Sequence, residues 1–484
     1  MQPKLDQAAK IISSKWLFVI TLLIFTVETS WLALTTRFPM AFDEAYHLGI
    51  IQFYSHRLNP IITSQPSSTY KFGALVHGQS FLYHYLMSFP YRLIEVFTKS
   101  PEFQVIGLRL INIAIAVASL LVARKLLRLI KLSNGLANVV ILAFALTPLF
   151  TALSAQINYD NLLVLVSLLC IYVSLTFVNN LRQGVIDVQR LLILLSLCLF
   201  SSEVKFTFVP IFIGITLVVG QQIITYWRRH KKTFKAELVA GFKHIPRLTQ
   251  VGLVVATIAG SALFMDIYGY NIVQYHSPIP QCNQILAVQD CQQYYSWDKG
   301  YIAKNYNKIH PPKSKMNILQ FTAYWLFFNL IELVGEIMPL QGFYYISPVF
   351  FLITSLLTIA SVTCVIVNFK KIVKKNHVVV MLTFISLVYL LFLWGRNYHD
   401  YLQFGQPEAI DGRYFVPVLL YLYVLLASGL RYSLTIKRSY TLLIKLVLAL
   451  VVIFSFTYYG GYSQYASQIS PVYGRLNPSN DFTL

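Results

Sequence analysis

A carboxylate pair and a histidine follow directly after the first apolar segment of the chain. In FPMAFDEAYHLGIIQ, Asp43 and Glu44 precede His47 at helical spacing. If this segment is helical, Asp43 and His47 lie on one face, because residues four apart in a helix are neighbours. A carboxylate there can take a proton from an attacking hydroxyl, and a neighbouring His or acid can orient it or share the proton. The alternative is a helix start whose acids are stabilised by the helix dipole.

A second acidic motif lies between two later apolar segments. In INYDNLL, Asp160 stands between Asn158 and Asn161. Its carboxylate could act together with Asp43 if both lie on one side of a membrane. Read alone, the motif fits a helix cap better, because Asn and Asp side chains accept hydrogen bonds from the first N–H groups of a helix.

Two basic residues stand beside other apolar segments, where they could bind phosphate. Lys205 follows Glu203 in SSEVKFTFVP, and Arg413 follows Asp411 in DGRYFVPVL. An ammonium group at headgroup depth can bind a lipid phosphate, extend toward water or pair with Glu203. The planar guanidinium of Arg413 suits two phosphate oxygens. The simpler interpretation is a surface pair between Asp411 and Arg413, which contributes little energy.

These motifs belong to a chain that is too apolar for a soluble protein. It has 484 residues, of which 56% are hydrophobic and only 12% are Asp, Glu, Lys or Arg. Ordinary globular domains have roughly 25% charged residues. Uninterrupted apolar runs such as WLFVITLLIFTV and VVVMLTFISLVYLLFLW approach the length of a spanning helix. The composition therefore predicts an all-α polytopic integral membrane protein.

Membrane topology accounts for the formal net charge of +20. Basic residues cluster in four short loops, ARKLLRLIK, WRRHKKTFK, FKKIVKK and RYSLTIKR, which the positive-inside rule places in the cytoplasm. We therefore expect a cytoplasmic N-terminus, an uncleaved first helix and no nucleic-acid partner. The motifs that contain candidate catalytic or phosphate-binding residues then all lie on the extracytoplasmic side.

Hydropathy with alternating sides predicts about 11 transmembrane helices, within a range of about 10 to 13. Their predicted bounds are about 16–35, 103–123, 135–153, 161–178, 189–201, 206–226, 250–268, 345–368, 377–395, 413–430 and 440–459. Residues 1–484 form a single membrane-embedded domain in this interpretation. Two large extracytoplasmic loops result, over about 36–102 and 269–344.

Two hydrophobic segments in these loops contain too many polar residues to be predicted as transmembrane helices. One covers residues 80–97 and contains Arg92 and Glu95, and the other covers residues 321–337 and contains Glu332. Aromatic and charged residues mixed in this way are typical of helices that lie in the membrane interface. We therefore predict two helices on the outer membrane surface.

The five cysteines fall into two groups. Cys170, Cys198 and Cys364 lie in apolar runs and are interpreted as small core residues. Cys282 and Cys291 share one polar extracytoplasmic loop, where a disulfide could persist. Their spacing leaves open whether they are bridged.

Taken in order, four motifs resemble a known class of membrane enzymes. FPMAFDEAYHLGIIQ after the first helix, INYDNLL after the third, VKFTFVP after the fifth and DGRYFVPVL before a late helix look like a family of predicted bacterial membrane proteins within the GT-C glycosyltransferases. That class includes protein O-mannosyltransferases and lipid A aminoarabinose transferases. The resemblance extends from the first helix to about residue 430.

The resemblance implies a GT-C-like transferase that uses a polyprenyl-phosphate sugar as donor. By motif, Asp43 matches the catalytic acid of the first loop, with Glu44 and His47 in the accompanying positions. Asp160 matches the acidic position of the second outer loop. The matches to donor-phosphate positions are Lys205 and Arg413. The protein would reside in the bacterial cytoplasmic membrane, with its active site on the extracytoplasmic side.

The sequence thus favours transfer of a sugar, hexosyl or pentosyl, to a hydroxyl on a saccharide, lipid or protein acceptor. Glu44 and Asp160 offer oxygen ligands to a divalent cation such as Mg²⁺ or Mn²⁺, and the sequence leaves its presence open. The alternative is a transporter or flippase for a lipid-linked saccharide, which would have ionisable residues deep in several spans. Glu28 and Arg109 come nearest to that pattern. An inactive scaffold in a cell-envelope complex is a third interpretation.

Overall fold

The computed structural model describes residues 7, 10–36, 38–40, 43–77, 80–310, 315–334, 336–340, 343–346, 348–407 and 409–433. The chain is almost entirely helical over these residues. In chain order its helices are α1 (Lys15–Thr35), α2 (Glu44–Ser55), α3 (Leu82–Phe97), α4 (Pro101–Leu129), α5 (Asn134–Ala145), α6 (Pro148–Ser154), α7 (Tyr159–Arg182), α8 (Val188–Ser202), α9 (Phe208–Arg229), α10 (Phe234–Lys243), α11 (Arg247–Phe264), α12 (Tyr270–Tyr275), α13 (Cys282–Ile285), α14 (Val288–Cys291), α15 (Tyr295–Ile309), α16 (Ile318–Val334), α17 (Pro348–Lys375), α18 (His377–Phe404) and α19 (Val416–Ser433).

Four short elements complete this part of the chain. Two are 3₁₀ helices, a third is a single π-helical turn that joins α11 to α12, and the fourth is an antiparallel pair of strands. Their bounds are Ser67–Phe72 and Gly412–Phe415 for the 3₁₀ helices, Met265–Gly269 for the π turn, and Glu336–Leu340 (β1) and Phe343–Ile346 (β2) for the strands.

Eight helices in the described part of the chain are long and apolar enough to cross a membrane, or nine if a bent pair is counted as one span. The eight are Lys15–Thr35, Pro101–Leu129, Tyr159–Arg182, Phe208–Arg229, Arg247–Tyr275, Thr354–Lys375, His377–Phe404 and Gly412–Ser433. The architecture is therefore that of an all-α polytopic membrane protein, as the composition predicts.

Each predicted span up to residue 433 overlaps a helix of the structure, with one difference. The predicted third span is broken into α5 and α6, which meet at an angle of 63°, because Pro148 cannot continue the hydrogen bonding of α5. The short predicted fifth span, 189–201, corresponds to α8, whose 15 residues are fewer than the roughly 20 that cross a bilayer. The predicted eleventh span, 440–459, lies outside the described residues.

The two predicted interfacial segments are helical. α3 (Leu82–Phe97) and α16 (Ile318–Val334) are each shorter than the eight candidate spans. The prediction of a helix over 321–337 was wrong at its end, because Glu336 and Ile337 belong to strand β1 and pair with Ile346 and Tyr345.

The core is built from regularly spaced small and aliphatic residues. In α4 the buried positions include Leu108, Asn112, Ala116 and Leu120, whose four-residue spacing forms one face of a helix. α4 packs against α7, α1 and α3, and α3 packs in turn against α2. These contacts fix the beginnings of α2, α4, α7 and α9 at one end of the bundle, here called the site end.

The site end is predicted to be extracytoplasmic, and exposed lysines at the two ends allow a test. Lys99 lies between α3 and α4 at the site end with its side chain 81% exposed, and Lys231 is exposed after α9 at the opposite end. In a Cys364→Ser background, an impermeant thiol reagent should label Lys99→Cys in intact cells and Lys231→Cys only after permeabilisation. The reverse pattern would contradict the topology, because loops alternate in side along a polytopic chain.

Candidate active site

The deepest feature of the site end is a buried ion pair between Arg109 of α4 and Glu44 of α2. The guanidinium donates from Nε to Glu44 Oε1 and from Nη2 to Oε2, each at 2.8 Å. Both side chains are completely buried. A bidentate Arg–carboxylate pair fixes both the distance between the two side chains and their relative orientation. Sequence reasoning missed this pair, since it placed Glu44 among the candidate catalytic residues and considered Arg109 for a path through the spans.

The same pair ties four separate segments together. Arg109 Nη1 donates to the carbonyl oxygens of Ala33 and Thr36, at 2.9 and 2.8 Å. Glu44 accepts from the backbone N–H groups of Met40, at 2.7 Å, and Ile157, at 3.1 Å. The end of α1, the start of α2 and the turn before α7 are thereby joined to α4. Glu44 thus has a positioning role, and its carboxylate is not open to a substrate.

Asp43 immediately precedes this anchor and behaves differently. Its backbone has φ of 67°, the left-handed region in which Asp is one of the few tolerated residues. Its side chain is 50% exposed, and Oδ2 lies 3.5 Å from Arg413 Nη2. Because Glu44 is fixed, the adjacent Asp43 carboxylate is held at the surface of the site.

The predicted common face of Asp43 and His47 was wrong. The helix begins only at Glu44, so Asp43 lies outside the regular turn and its carbonyl accepts from the backbone N–H of His47 at 3.0 Å. His47 is buried, with Nδ1 2.9 Å from His84 Nε2. Burial lowers the pKa of His47 well below its usual value, and His84, Arg413 and Lys205 add to the effect. His47 is therefore neutral at pH 7.

Lys205 pairs with Asp160 across the turn before α9. Its Nζ donates to Asp160 Oδ1 at 2.7 Å, and both side chains are almost completely buried. Asp160 is held by its own helix start, where its backbone N–H donates to Asn158 Oδ1 at 2.8 Å. Its other oxygen, Oδ2, is buried and has no hydrogen-bond partner within the described residues. The helix-cap interpretation of INYDNLL thus applies to Asn158, whereas Asp160 points into the site.

Aromatic rings enclose the Lys205 ammonium group. Nζ lies 4.2 Å from the ring centroid of Tyr159 and 4.6 Å from that of Tyr414, within the range of cation–π attraction. Burial lowers the pKa of Lys205 to about 8, and Asp160 partly offsets this effect. An ammonium group has three N–H donors, and the pair with Asp160 uses one of them.

Arg413 begins the approach to α19 and contacts two acids. Its Nε lies 3.1 Å from Asp411 Oδ2, in addition to the contact of Nη2 with Asp43. Arg413 and Asp411 are largely buried, with side chains 11% and 19% exposed, so the surface-pair interpretation was wrong. Burial raises the pKa of Asp411, against the opposing influence of Arg413. The Arg413 guanidinium also lies 5.3 Å from the ring centroid of Tyr414.

The structure therefore brings the four predicted key residues into one cluster. The Tyr414 ring is within cation–π distance of both Lys205 and Arg413, which pair with Asp160 and Asp43 respectively. Sequence reasoning identified all four of these charged residues but missed Tyr159 and Tyr414, although each tyrosine directly adjoins one of them, Asp160 in INYDNLL and Arg413 in DGRYFVPVL.

Glu203 does not pair with Lys205, contrary to one alternative from the sequence. Both of its carboxylate oxygens are buried without a hydrogen-bond partner in the described part of the chain. Burial raises the pKa of Glu203 to about 8, with a further contribution from Asp266. The residue is therefore mostly protonated at pH 7, which removes the cost of burying its charge.

The polar loop after α12 contains a disulfide between Cys282 and Cys291, with the Cα atoms 5.8 Å apart. Both cysteines are buried against Ala74, which follows the first 3₁₀ helix, and Trp297 packs against the same group. The disulfide lies within the second large loop and packs that loop against the first one. Cys170 and Cys198 are buried free thiols, in agreement with their interpretation as core residues.

The carboxylates of the cluster do not form an evident cation site. Within the described residues, no group of three or more His, Cys, Asp or Glu side chains is placed to hold a metal ion. Both oxygens of Glu44 are engaged by Arg109 and by backbone N–H groups. Asp160 is engaged by Lys205. The pair Glu44 and Asp160 proposed from the sequence therefore does not fit a divalent cation.

Comparison with solved structures returns archaeal oligosaccharyltransferases and ArnT. The oligosaccharyltransferase of Archaeoglobus fulgidus, tethered with an acceptor peptide, aligns over 97% of this chain and 61% of its own, with 14% identity and a TM-score of 0.49. The same organism's AglB, in complex with an inhibitory peptide and a dolichol-phosphate, aligns over 94% and 57%, with 15% identity and a TM-score of 0.44. ArnT from Cupriavidus metallidurans aligns over 95% and 66%, with 12% identity and a TM-score of 0.45.

The resemblance predicted from the sequence is to proteins of this kind, but similarity at this level indicates no function by itself. The chain spans 61% of the archaeal oligosaccharyltransferase and 66% of ArnT. No protein-family model matches the chain. No curated protein matches its sequence.

Proposed function

We propose that the chain is a glycosyltransferase that moves a sugar from a polyprenyl-phosphate donor to an acceptor hydroxyl at the extracytoplasmic membrane surface. The observation that carries the proposal is the cluster at the site end. One half-exposed carboxylate, Asp43, lies 3.5 Å from Arg413, and the Tyr414 ring contacts both Arg413 and Lys205. This combination suits a reaction that removes a proton from the acceptor hydroxyl and releases a phosphate from the donor.

Asp43 is the group placed to act as general base. Glu44, Asp160 and Asp411 are buried and already paired with Arg109, Lys205 and Arg413, whereas half of the Asp43 side chain faces solvent. The acceptor oxygen forms a bond to the anomeric carbon as its proton passes to Asp43. The bond between that carbon and the phosphate oxygen breaks at the same time.

Lys205 and Arg413 stabilise the departing phosphate. A sugar-linked phosphodiester carries one negative charge, and the polyprenyl phosphate that leaves carries a second one. Cations fixed in a partly desolvated site interact most strongly with charge that develops in the transition state. Lys205 has N–H donors beyond the one that it gives to Asp160, and Arg413 offers a planar set of donors.

The transporter alternative loses one of its two supports. Arg109, one of the two ionisable residues considered for a path through the spans, is completely buried in its pair with Glu44 at the site end. A residue fixed by two charge-assisted hydrogen bonds and two carbonyl contacts is suited to structure rather than to a moving cargo.

A direct test measures the release of polyprenyl phosphate. The purified full chain in lipid nanodiscs would receive polyprenyl-phosphate sugars that carry one radiolabelled hexose or pentose each, together with a membrane extract as source of acceptor. We expect labelled product and free polyprenyl phosphate from at least one of these donors. The same sugars linked to a nucleotide should give none. Transfer from the nucleotide sugars alone would contradict the proposal.

The pKa of Lys205 predicts how donor use depends on pH. A lysine with a pKa of about 8 is charged below that pH and neutral above it. With donor below saturation, turnover should therefore fall about tenfold per pH unit above pH 8, because the neutral amine cannot stabilise the phosphate. Lys205→Arg should remove this decline, since arginine stays charged.

Glu203 provides the matched control for this pH profile. Its pKa is also about 8, but its carboxylate forms no hydrogen bond with the paired residues of the cluster. Glu203→Gln should leave the profile as it is in the unmodified protein. If Glu203→Gln removes the decline and Lys205→Arg does not, Lys205 is not the titrating group.

A further inference from the structure

A pocket of about 370 Å³ opens beside Asp43, and neither Lys205 nor Arg413 is among the residues that line it. It lies between α2, the first 3₁₀ helix and the segment that follows the disulfide. The residues that line it and matter for its chemistry are Asp43, Tyr46, Gln52, Lys71, Tyr294 and Ser296. Its volume falls in the range of small-molecule sites.

Two glycines allow the walls of this pocket to come together. A Cβ atom on Gly49 would lie 2.2 Å from the ring of Phe72. A Cβ atom on Gly73 would lie 2.9 Å from the ring of Tyr294, and Gly73 has φ of +76°, which favours glycine. The walls are therefore fixed by close packing between backbone and aromatic rings.

The disulfide holds the far wall in place. The backbone N–H of Tyr294 donates to the carbonyl of Cys291 at 3.0 Å, and Cys291 is completely buried. Tyr294 stacks on Tyr46, with 5.7 Å between ring centroids and 27° between the planes. The second loop thus supplies an aromatic surface to a pocket whose other wall is α2.

The lining suits a sugar ring. A pyranose has a C–H face that packs against aromatic rings and hydroxyl groups that need hydrogen-bond partners, and such sites combine aromatic surface with a few fixed polar groups. Here Tyr46 and Tyr294 supply the rings, and Gln52 and Ser296 supply polar atoms. Lys71 is exposed and forms no ion pair in the described part of the chain.

Asp43 stands between this pocket and the cations. Its carboxylate lines the pocket and also lies 3.5 Å from Arg413. A general base must reach the acceptor hydroxyl, while the cations must reach the donor phosphate. The phosphate side of Asp43 is occupied by Arg413, so the acceptor enters from the other side.

We propose that this pocket binds the acceptor as a saccharide ring bearing an anionic group, with one hydroxyl at Asp43, the ring against the stacked pair of Tyr46 and Tyr294, and the anionic group at Lys71. This inference rests on the proposed function for the role of Asp43. The binding of such a saccharide stands independently of it. The pocket accepts the ring whether it is free or part of a lipid headgroup.

Binding can be measured without knowledge of the natural acceptor. Saturation-transfer NMR on the full chain in phosphatidylcholine nanodiscs would compare methyl glucoside, glucuronate and glucose 6-phosphate. We expect the two anions to bind about fivefold to tenfold more tightly than the neutral sugar. Nanodiscs that contain phosphatidylinositol distinguish the source, because a headgroup that occupies the pocket competes with the free sugars, whereas a site for free saccharides leaves their binding unchanged.

Three variants assign the binding to this pocket, and two controls accompany them. Tyr294→Ala should weaken all probes by about tenfold or more through loss of the stacking surface. Ser296→Trp should block the pocket in a folded protein, since Ser296 is exposed. Lys71→Glu should remove only the preference for anions. The matched controls for Tyr294 and Lys71 are Tyr306→Ala and Lys99→Glu, which replace exposed residues outside the pocket.

Each outcome has a separate meaning for the pocket and for the transferase. If Ser296→Trp and Lys71→Glu bind the probes as the unmodified chain does, the acceptor pocket is wrong even where the chain transfers sugar. Equal binding of neutral and anionic sugars would contradict the proposal that the acceptor carries an anionic group. Anion-selective binding that Ser296→Trp abolishes supports the pocket, and it does so even if the chain releases no polyprenyl phosphate, which would contradict the proposed function alone.

Discussion

Replacing Asp43 with Asn should lower sugar transfer by roughly 100-fold or more, because general-base catalysis typically contributes 10²–10⁴-fold. The substitution keeps the shape of the side chain and its tolerance of a left-handed backbone, φ 67°. It removes only the ability to take the proton. Binding of the donor should change little, since the cations of Lys205 and Arg413 remain. The measurement is single-turnover release of polyprenyl phosphate by the full chain in nanodiscs.

The control for Asp43→Asn is another carboxylate at a helix start. Glu102 lies in the first turn of α4 and is exposed, so it shares the helix-dipole environment but not the cluster. Glu102→Gln should transfer sugar at the unmodified rate. If Asp43→Asn does so too, with normal insertion, Asp43 is only a helix-start acid. The mechanism then has no base, and the transporter interpretation gains support.

The helical architecture was predictable because hydropathy and charge act locally. Runs of apolar residues and basic loops define spans without any knowledge of tertiary contacts. The difference arises where one residue overrides that average. Pro148 breaks the third span into α5 and α6, because a proline interrupts helical hydrogen bonding within a segment that is apolar throughout. The short fifth span, α8, agrees with its predicted bounds.

The members of the site were predictable, but their partners were not. Asp43, Asp160, Lys205 and Arg413 stand out because they lie at the predicted extracytoplasmic ends of spans, where a carboxylate can act as a base and a cation can bind a lipid phosphate. Their contacts cross the chain: Arg109 reaches Glu44 over 65 residues, and Arg413 reaches Asp43 over 370. A single sequence carries no signal for such pairs. A lone arginine within an apolar span was the available sign that Arg109 needed a buried acid.

The arrangement separates positioning from chemistry. The buried pair of Arg109 and Glu44 is neutral as a unit and has no solvent access, so it can hold Asp43 without adding charge to the reaction. Lys205 forms a close ion pair with Asp160, and aromatic rings enclose its ammonium group. Asp43 alone among these acids is half exposed, which makes access, rather than acidity, the property that selects the base.

Replacing Glu44 with Gln should be the most destabilising of the single changes considered. Glu44 is completely buried, and its loss leaves the charge of Arg109 without a counterion. Removing one partner of a buried pair costs about 3–5 kcal/mol. The amide also places N–H groups where Met40, Ile157 and Arg109 already donate. The measurement is the thermal unfolding midpoint of the full chain in detergent.

A surface pair and a double variant identify the cause of that loss. Glu95 pairs with Lys99 at 3.2 Å at the exposed surface of the same loop, so Glu95→Gln should cost less than about 1 kcal/mol. Glu44→Leu combined with Arg109→Met should recover much of the stability, because no buried charge is left unpaired. It should not recover transfer, since Asp43 loses the anchor beside it. If Glu44→Gln unfolds at the same temperature as Glu95→Gln, the pair does not hold the site end together. Recovery of both stability and transfer by the double variant would instead show that Asp43 is positioned without it.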